Sequence, residues 1–106
     1  MTIEEMRDRV IGVSEHWGKM MPIMVMEETA ELNQAIVKFM RILYDSNLDV
    51  IKNASDKDRT NLGKAKHAIT DELGDVYISL MALQEQLKIS DRDVEKRIEE
   101  KLNKKY

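Results

Sequence analysis

The chain has no cysteine, one proline and four glycines, and only one tryptophan, three tyrosines and one phenylalanine in 106 residues. Without cysteine there are no disulfides and no thiolate metal sites, and a reducing cytoplasm is the expected location. So few turn-formers and aromatics argue against an all-β fold. No apolar run approaches the roughly 20 residues that cross a bilayer, so no membrane partner is expected. Residues 2–9 are acidic and amphipathic, unlike a signal peptide. Neither sign of charge dominates: a net charge of −3 gives no footing for a nucleic-acid polymer. What remains, 35% charged and 42% hydrophobic residues, suits a helical protein and is too apolar for disorder. The length predicts one domain spanning 1–106, with a core modest enough that self-association would help it.

The apolar spacing predicts four helices. Thr2 and Glu5 form a capping box, and Ile3, Met6, Val10, Val13 and Trp17 follow at steps of three and four until Gly18. Pro22 suits the first turn of a second helix over about 22–44. Residues 45–60 read as a polar loop around a short apolar piece at 48–51, with room for one helical turn. Thr60 or Asn61 can cap a third helix over 62–87. Ser90 with Asp93 caps a fourth, whose Val94, Ile98 and Leu102 form a narrow stripe. An all-α, four-helix bundle is the expected architecture. The second helix is apolar twice over, with Met26, Ala30, Val37 and Met40 forming a patch away from its main face, so a partner subunit is the expected cover.

Carboxylates intrude where they should be scarce. At roughly 100° per residue, Glu28 falls amid the arc of Met24, Val25, Leu32, Ala35, Ile36 and Phe39. Glu72 falls at the edge of the arc of Ile69, Leu73, Val76, Leu80 and Leu83. Glu31 and Asp75 stand about a sixth of a turn outside those arcs, each on the side of the preceding acid. Residues three apart share a helix face, so Glu28 with Glu31, and Glu72 with Asp75, each make a two-toothed clamp. Two antiparallel helices would bring the clamps around one cavity. An unpaired buried carboxylate costs several kcal/mol, so cations are required. Oxygen ligands with no histidine or cysteine favour Mg2+, with Mn2+ also suitable, over zinc or copper. Such an ion would neutralise and orient a polyphosphate and acidify an attacking water. Glu27 could serve as a base or support the ligands. The plainer reading, a solvated acidic stripe, does not account for the intrusion into two apolar arcs. A di-iron carboxylate bundle needs Glu-x-x-His pairs, which His16 and His67 do not make.

Glu27-Glu28-x-x-Glu31 followed by Glu72-x-x-Asp75 resembles the signature of the MazG-like, all-α nucleoside triphosphate pyrophosphatases. The likeness extends to His16-Trp17-Gly18 before the second helix, Leu32 after the first motif, and Val76-Tyr77-Ile78 after the second. It implies Mg2+-dependent hydrolysis between the α- and β-phosphates of a (d)NTP, releasing a nucleoside monophosphate and pyrophosphate, in a nucleotide-pool housekeeping role. It implies Glu28, Glu31, Glu72 and Asp75 as metal ligands, with Glu27, Glu28 and Glu31 forming the catalytic set. It also implies a homodimer or homotetramer. The interval between the motifs is longer than in compact members, by about the length of residues 45–60, which could form a lid. A non-catalytic helical assembly or regulatory module of the same fold is the alternative, as is a phosphoribosyl-ATP pyrophosphatase.

Substrate contacts are less clearly marked. Trp17 lies on the apolar stripe of its helix, and its neighbour His16 can hydrogen-bond or stack, so the pair is the candidate for the base. The basic end of the chain, on the family's likeness, offers Lys101 and Lys104 for the triphosphate. Lys38, Arg41 and Lys64 fall on the acid side of their helices, where a solvated charge is the ordinary reading. The eight methionines fill core and interface without a cofactor role.

Overall fold

Thr2 opens the first helix, α1 (Ile3–Trp17), from extended backbone: its Oγ1 accepts the Glu5 backbone N–H at 3.1 Å and donates to the Glu5 carboxylate at 3.2 Å. Gly18 ends it, its N–H donating to the Ser14 carbonyl at φ +49°, a conformation that side chains with a Cβ rarely adopt. A single 3₁₀ turn, Gly18–Met20, then redirects the chain. These residues belong to a computed structural model that describes residues 1–45 and 56–105. It continues with α2 (Met21–Asp45), α3 (Asp56–Gln86) and α4 (Asp91–Lys105). Among the described residues there is no strand, and no helix is long and apolar enough to cross a membrane.

Two helix ends follow the sequence closely. Ser90 Oγ accepts the Asp93 N–H at 3.1 Å, as expected of the α4 cap. α3 closes with Lys88 at φ +55°, the Ile89 N–H reaching the Gln84 carbonyl and the Lys88 N–H the Glu85 carbonyl. That pattern is a Schellman motif, with lysine where glycine is usual.

Two expectations are corrected. α3 begins at Asp56, not near Leu62, so residues 56–60 are helical rather than loop. The first turn and a half carries no apolar repeat, so the period that marks a helix in sequence is absent there. The remainder of that expected loop, including the 48–51 piece and the lid, lies outside the described residues. The four-helix bundle is met only in part. α1, α2 and α3 pack together, with α2 and α3 the most intimate pair, whereas among the described residues α4 forms no comparable packed pair. It is tied at its start, where Arg7 pairs with Asp91 at 2.5 Å and Gln84 Nε2 donates to Asp91 at 2.7 Å. The stripe residues Ile98 and Leu102 remain half exposed.

α2 and α3 run antiparallel in a register that can be read from their contacts. Met21 meets Ala82 in a core completed by Val10 of α1, with Val13, Met24, Val25 and Leu83 packed against it. Gln86 donates to the Gly18 carbonyl at that end. At the other end Ala35 shares a groove with Ala65 and Ala68. Small residues facing each other there let the two backbones approach. Between the dry end and the small-residue end lie the acids.

Candidate metal centre

The register sets Glu31 opposite Glu72 and Glu28 opposite Asp75. One carboxylate oxygen from each of these four residues lies within 4.8 Å of the others. Glu28 and Glu72 are half-buried between the helices, while Glu31 and Asp75 stand exposed. The difference follows from helix geometry: the inner pair sits in the apolar arcs and the outer pair a sixth of a turn beyond them.

The electrostatics of four clustered carboxylates are unfavourable without a cation. Burial, and then the charges of Glu31, Asp75, Glu72 and Glu27, push the Glu28 carboxyl above its ordinary range. Glu72 is raised in the same way, by burial, by Glu31 and Asp75, and by a hydrogen bond with Glu31. One oxygen of each inner acid, Glu28 Oε2 and Glu72 Oε2, is buried with no hydrogen-bond partner. A buried unpaired oxygen on a carboxylate is costly, and divalent cations remove that cost. The dimensions agree with such an ion. An octahedral Mg2+ shell at 2.0–2.1 Å puts opposite ligands about 4.2 Å apart, a few tenths of an ångström inside the observed spread. The donors are all hard oxygens, the set that suits Mg2+ or Mn2+. The residues present therefore fit a divalent cation.

Comparison with protein families matches residues 18–106 to the MazG nucleotide pyrophosphohydrolase domain. The chain belongs to this family. No curated protein and no solved structure matches the chain. The MazG match begins at Gly18 and takes in all four clustered acids, α4 included, but not α1.

Other sequence candidates fall elsewhere. Glu27 is exposed at the rim, close enough for its charge to act on Glu28. His16 and Trp17 meet edge to face, with ring centroids 5.7 Å apart and planes at 86°, at the exposed end of α1. Their neighbour Gly18 is bonded to Gln86, three turns of α3 beyond Asp75 and roughly 16 Å along the axis. Within the chain they do not join the acids. Lys101 and Lys104 are exposed on α4, Lys101 lining a shallow hollow with Ile89, Val94 and Ile98.

Two features beside the cage carried weak signals in the sequence. A groove of about 280 Å³ lies along the Glu31 and Asp75 side of the pair, one helical turn from the acids, floored by Ala35, Ala65 and Ala68 and flanked by Lys38, Asn61 and Lys64. The lysines were legible as lying on the acid side. The alanines at a three-residue spacing were the only sign of a floor. On the opposite flank Phe39, Leu62, Ile69 and Leu73 line a second hollow of about 550 Å³.

Proposed function

We propose that the protein is a Mg2+-dependent nucleoside triphosphate pyrophosphohydrolase, cleaving (d)NTP to (d)NMP and pyrophosphate and acting on the nucleotide pool. The observation that carries this reading is the convergence of Glu28, Glu31, Glu72 and Asp75, two with orphaned buried oxygens, inside the span matched to the family. Glu28 and Glu72 would hold the cation from below and Glu31 and Asp75 from the solvent side. Mn2+ fits the same donors. A divalent ion bound there supplies charge neutralisation for the phosphates and lowers the pKa of a water.

The chain's own part is positioning and proton handling. The rigid α2–α3 pair presents the four carboxylates without loop motion, which favours a fixed attack geometry. A water adds to the α-phosphorus, the bond from that phosphorus to the bridging oxygen breaks, and pyrophosphate departs. Glu27, exposed at the rim, takes the proton released by the water and passes it to solvent. No covalent enzyme intermediate is needed.

Assembly as a homodimer or homotetramer belongs to the same proposal. Met26, Val37 and Met40 on the back of α2 are 68%, 45% and 57% exposed in the single chain, a large apolar surface to leave in water.

The test is incubation of the folded protein with each NTP and dNTP plus Mg2+, measuring pyrophosphate. Release from at least one nucleotide is expected. Folded protein that releases none from any of them overturns the proposal. Sedimentation of the same preparation, compared with a Val37→Glu variant, tests the assembly.

A further inference from the structure

Lys38 and Lys64 stand at one level of the α2–α3 pair and flank the same alanine-floored groove. Lys38 lies seven residues beyond Glu31 and Lys64 eight before Glu72, so both are roughly 10–12 Å along the axis from the cage. Both are exposed, and among the described residues neither has an ion-pair partner. Helical side chains lean toward their own N-terminus, which tilts Lys38 back toward Glu31 and Lys64 away from Glu72, toward the far end of the groove.

Resting on the pyrophosphohydrolase reading, we propose that this groove takes the departing pyrophosphate end of the nucleotide, with Lys38 and Lys64 as its anion ligands and Asn61 as a neutral donor. Three observations converge on that assignment. The groove lies one helical turn from the cage on the side of the exposed acids, with Ala35 four residues beyond Glu31 and Ala68 four before Glu72. Its two free cations match a group that gains negative charge as the bond breaks, whereas a nucleoside carries none to be neutralised. The floor of Ala35, Ala65 and Ala68 leaves room for phosphate oxygens to lie close to the helices. The polarity follows: phosphates run toward Lys38 and Lys64, and the nucleoside points the other way, toward the end of the pair near Gly18.

The test is calorimetric titration of the full chain with inorganic pyrophosphate and, separately, with uridine and adenosine monophosphates, all in Mg2+. The double variant Lys38→Ala, Lys64→Ala is expected to bind pyrophosphate roughly tenfold more weakly and the monophosphates unchanged. Lys→Arg at both positions should restore most of the affinity. The double variant Arg59→Ala, Lys66→Ala, which removes two positive charges from the opposite hollow, should change neither ligand and so controls for net charge. Equal weakening of both ligands, weakening of the monophosphates alone, or unchanged pyrophosphate binding would overturn the assignment. The readout is binding, so it stands apart from the hydrolysis assay: an inactive protein that still binds pyrophosphate through these lysines would sink the catalytic reading and leave the groove.

Discussion

At one end of the α2–α3 pair Met21 and Ala82 are wholly removed from water; two to three turns away the same helices, in the same register, press four carboxylates together. The dry end gains stability from each apolar group it buries, while the acid end loses it to desolvation and like charge. A helix pair can hold an unfavourable cluster in fixed geometry because its other half is well packed. The contrast makes a division of labour: substitutions at the cage should change chemistry without unfolding, and substitutions at the dry end should unfold without changing chemistry.

The largest effect belongs to the cage. Glu28→Gln and Asp75→Asn each remove a ligand charge, and pyrophosphate release is expected to fall by roughly 10²–10³-fold or more, a loss typical of groups that stabilise charge in the transition state. Helical circular dichroism should be unchanged, and the metal-free Glu28→Gln protein should melt higher than the parent because a repelled, partly buried charge has gone. Both variants fully active would show that the division runs elsewhere.

Next in size is the dry end. Met21 is fully buried against Val10 and Ala82, so Met21→Ala should cost about 2–5 kcal/mol, read from urea unfolding. Activity per folded molecule at low temperature should stay near that of the parent. A Met21→Ala protein with parental stability, or one folded but inactive, would erase the contrast.

The pH dependence is subtler and separates the two ends without mutation. Glu28 and Glu72 titrate above their ordinary range when folded, so the native metal-free chain binds protons there that the unfolded chain releases. Stability should therefore fall as pH rises above the ordinary carboxylate range. Asp91, held low chiefly by its hydrogen bonds from Gln84 and Arg7, works in the opposite sense, its contribution being lost only as pH falls through its depressed value. Mg2+ should raise the melting temperature at pH 7 and flatten the slope, and Glu72→Gln should flatten it without metal. A metal-free melting temperature that climbs steadily from pH 5 to 7 would contradict the crowding of the inner acids.

The depth of the four acids was legible before any coordinates. Stepping along α2 and α3 put Glu28 amid an apolar arc, Glu72 at the edge of one, and Glu31 and Asp75 outside them, and the structure half-buries the first two and exposes the others. The Thr2 and Ser90 caps and the break at Gly18 were legible for the same reason: each depends on neighbours within a few residues. What the sequence concealed depends on distant partners or on the absence of a pattern. The start of α3 is polar throughout and shows no period. α4 has a clear stripe, but a stripe does not say what covers it. Nor could spacing reveal that Gln86 would reach back to Gly18 and set the His16–Trp17 pair three turns from the cage.

Ser79 sits between the two regions and gives the smallest effect. It is completely buried, one turn beyond Asp75 and just short of Ala82, and its Oγ donates to the Val76 carbonyl at 2.8 Å. That bond stays within α3, and the carbonyl keeps its ordinary helical partner if the hydroxyl is removed. Ser79→Ala thus deletes donor and need together, at a site where alanine also has the better helix propensity. A stability change under about 1 kcal/mol is expected, with hydrolysis unaltered. If Ser79→Ala instead lost activity while keeping its melting temperature, the buried hydroxyl would belong with the cage, and the boundary between the charged and dry halves of the pair would move one turn toward Met21.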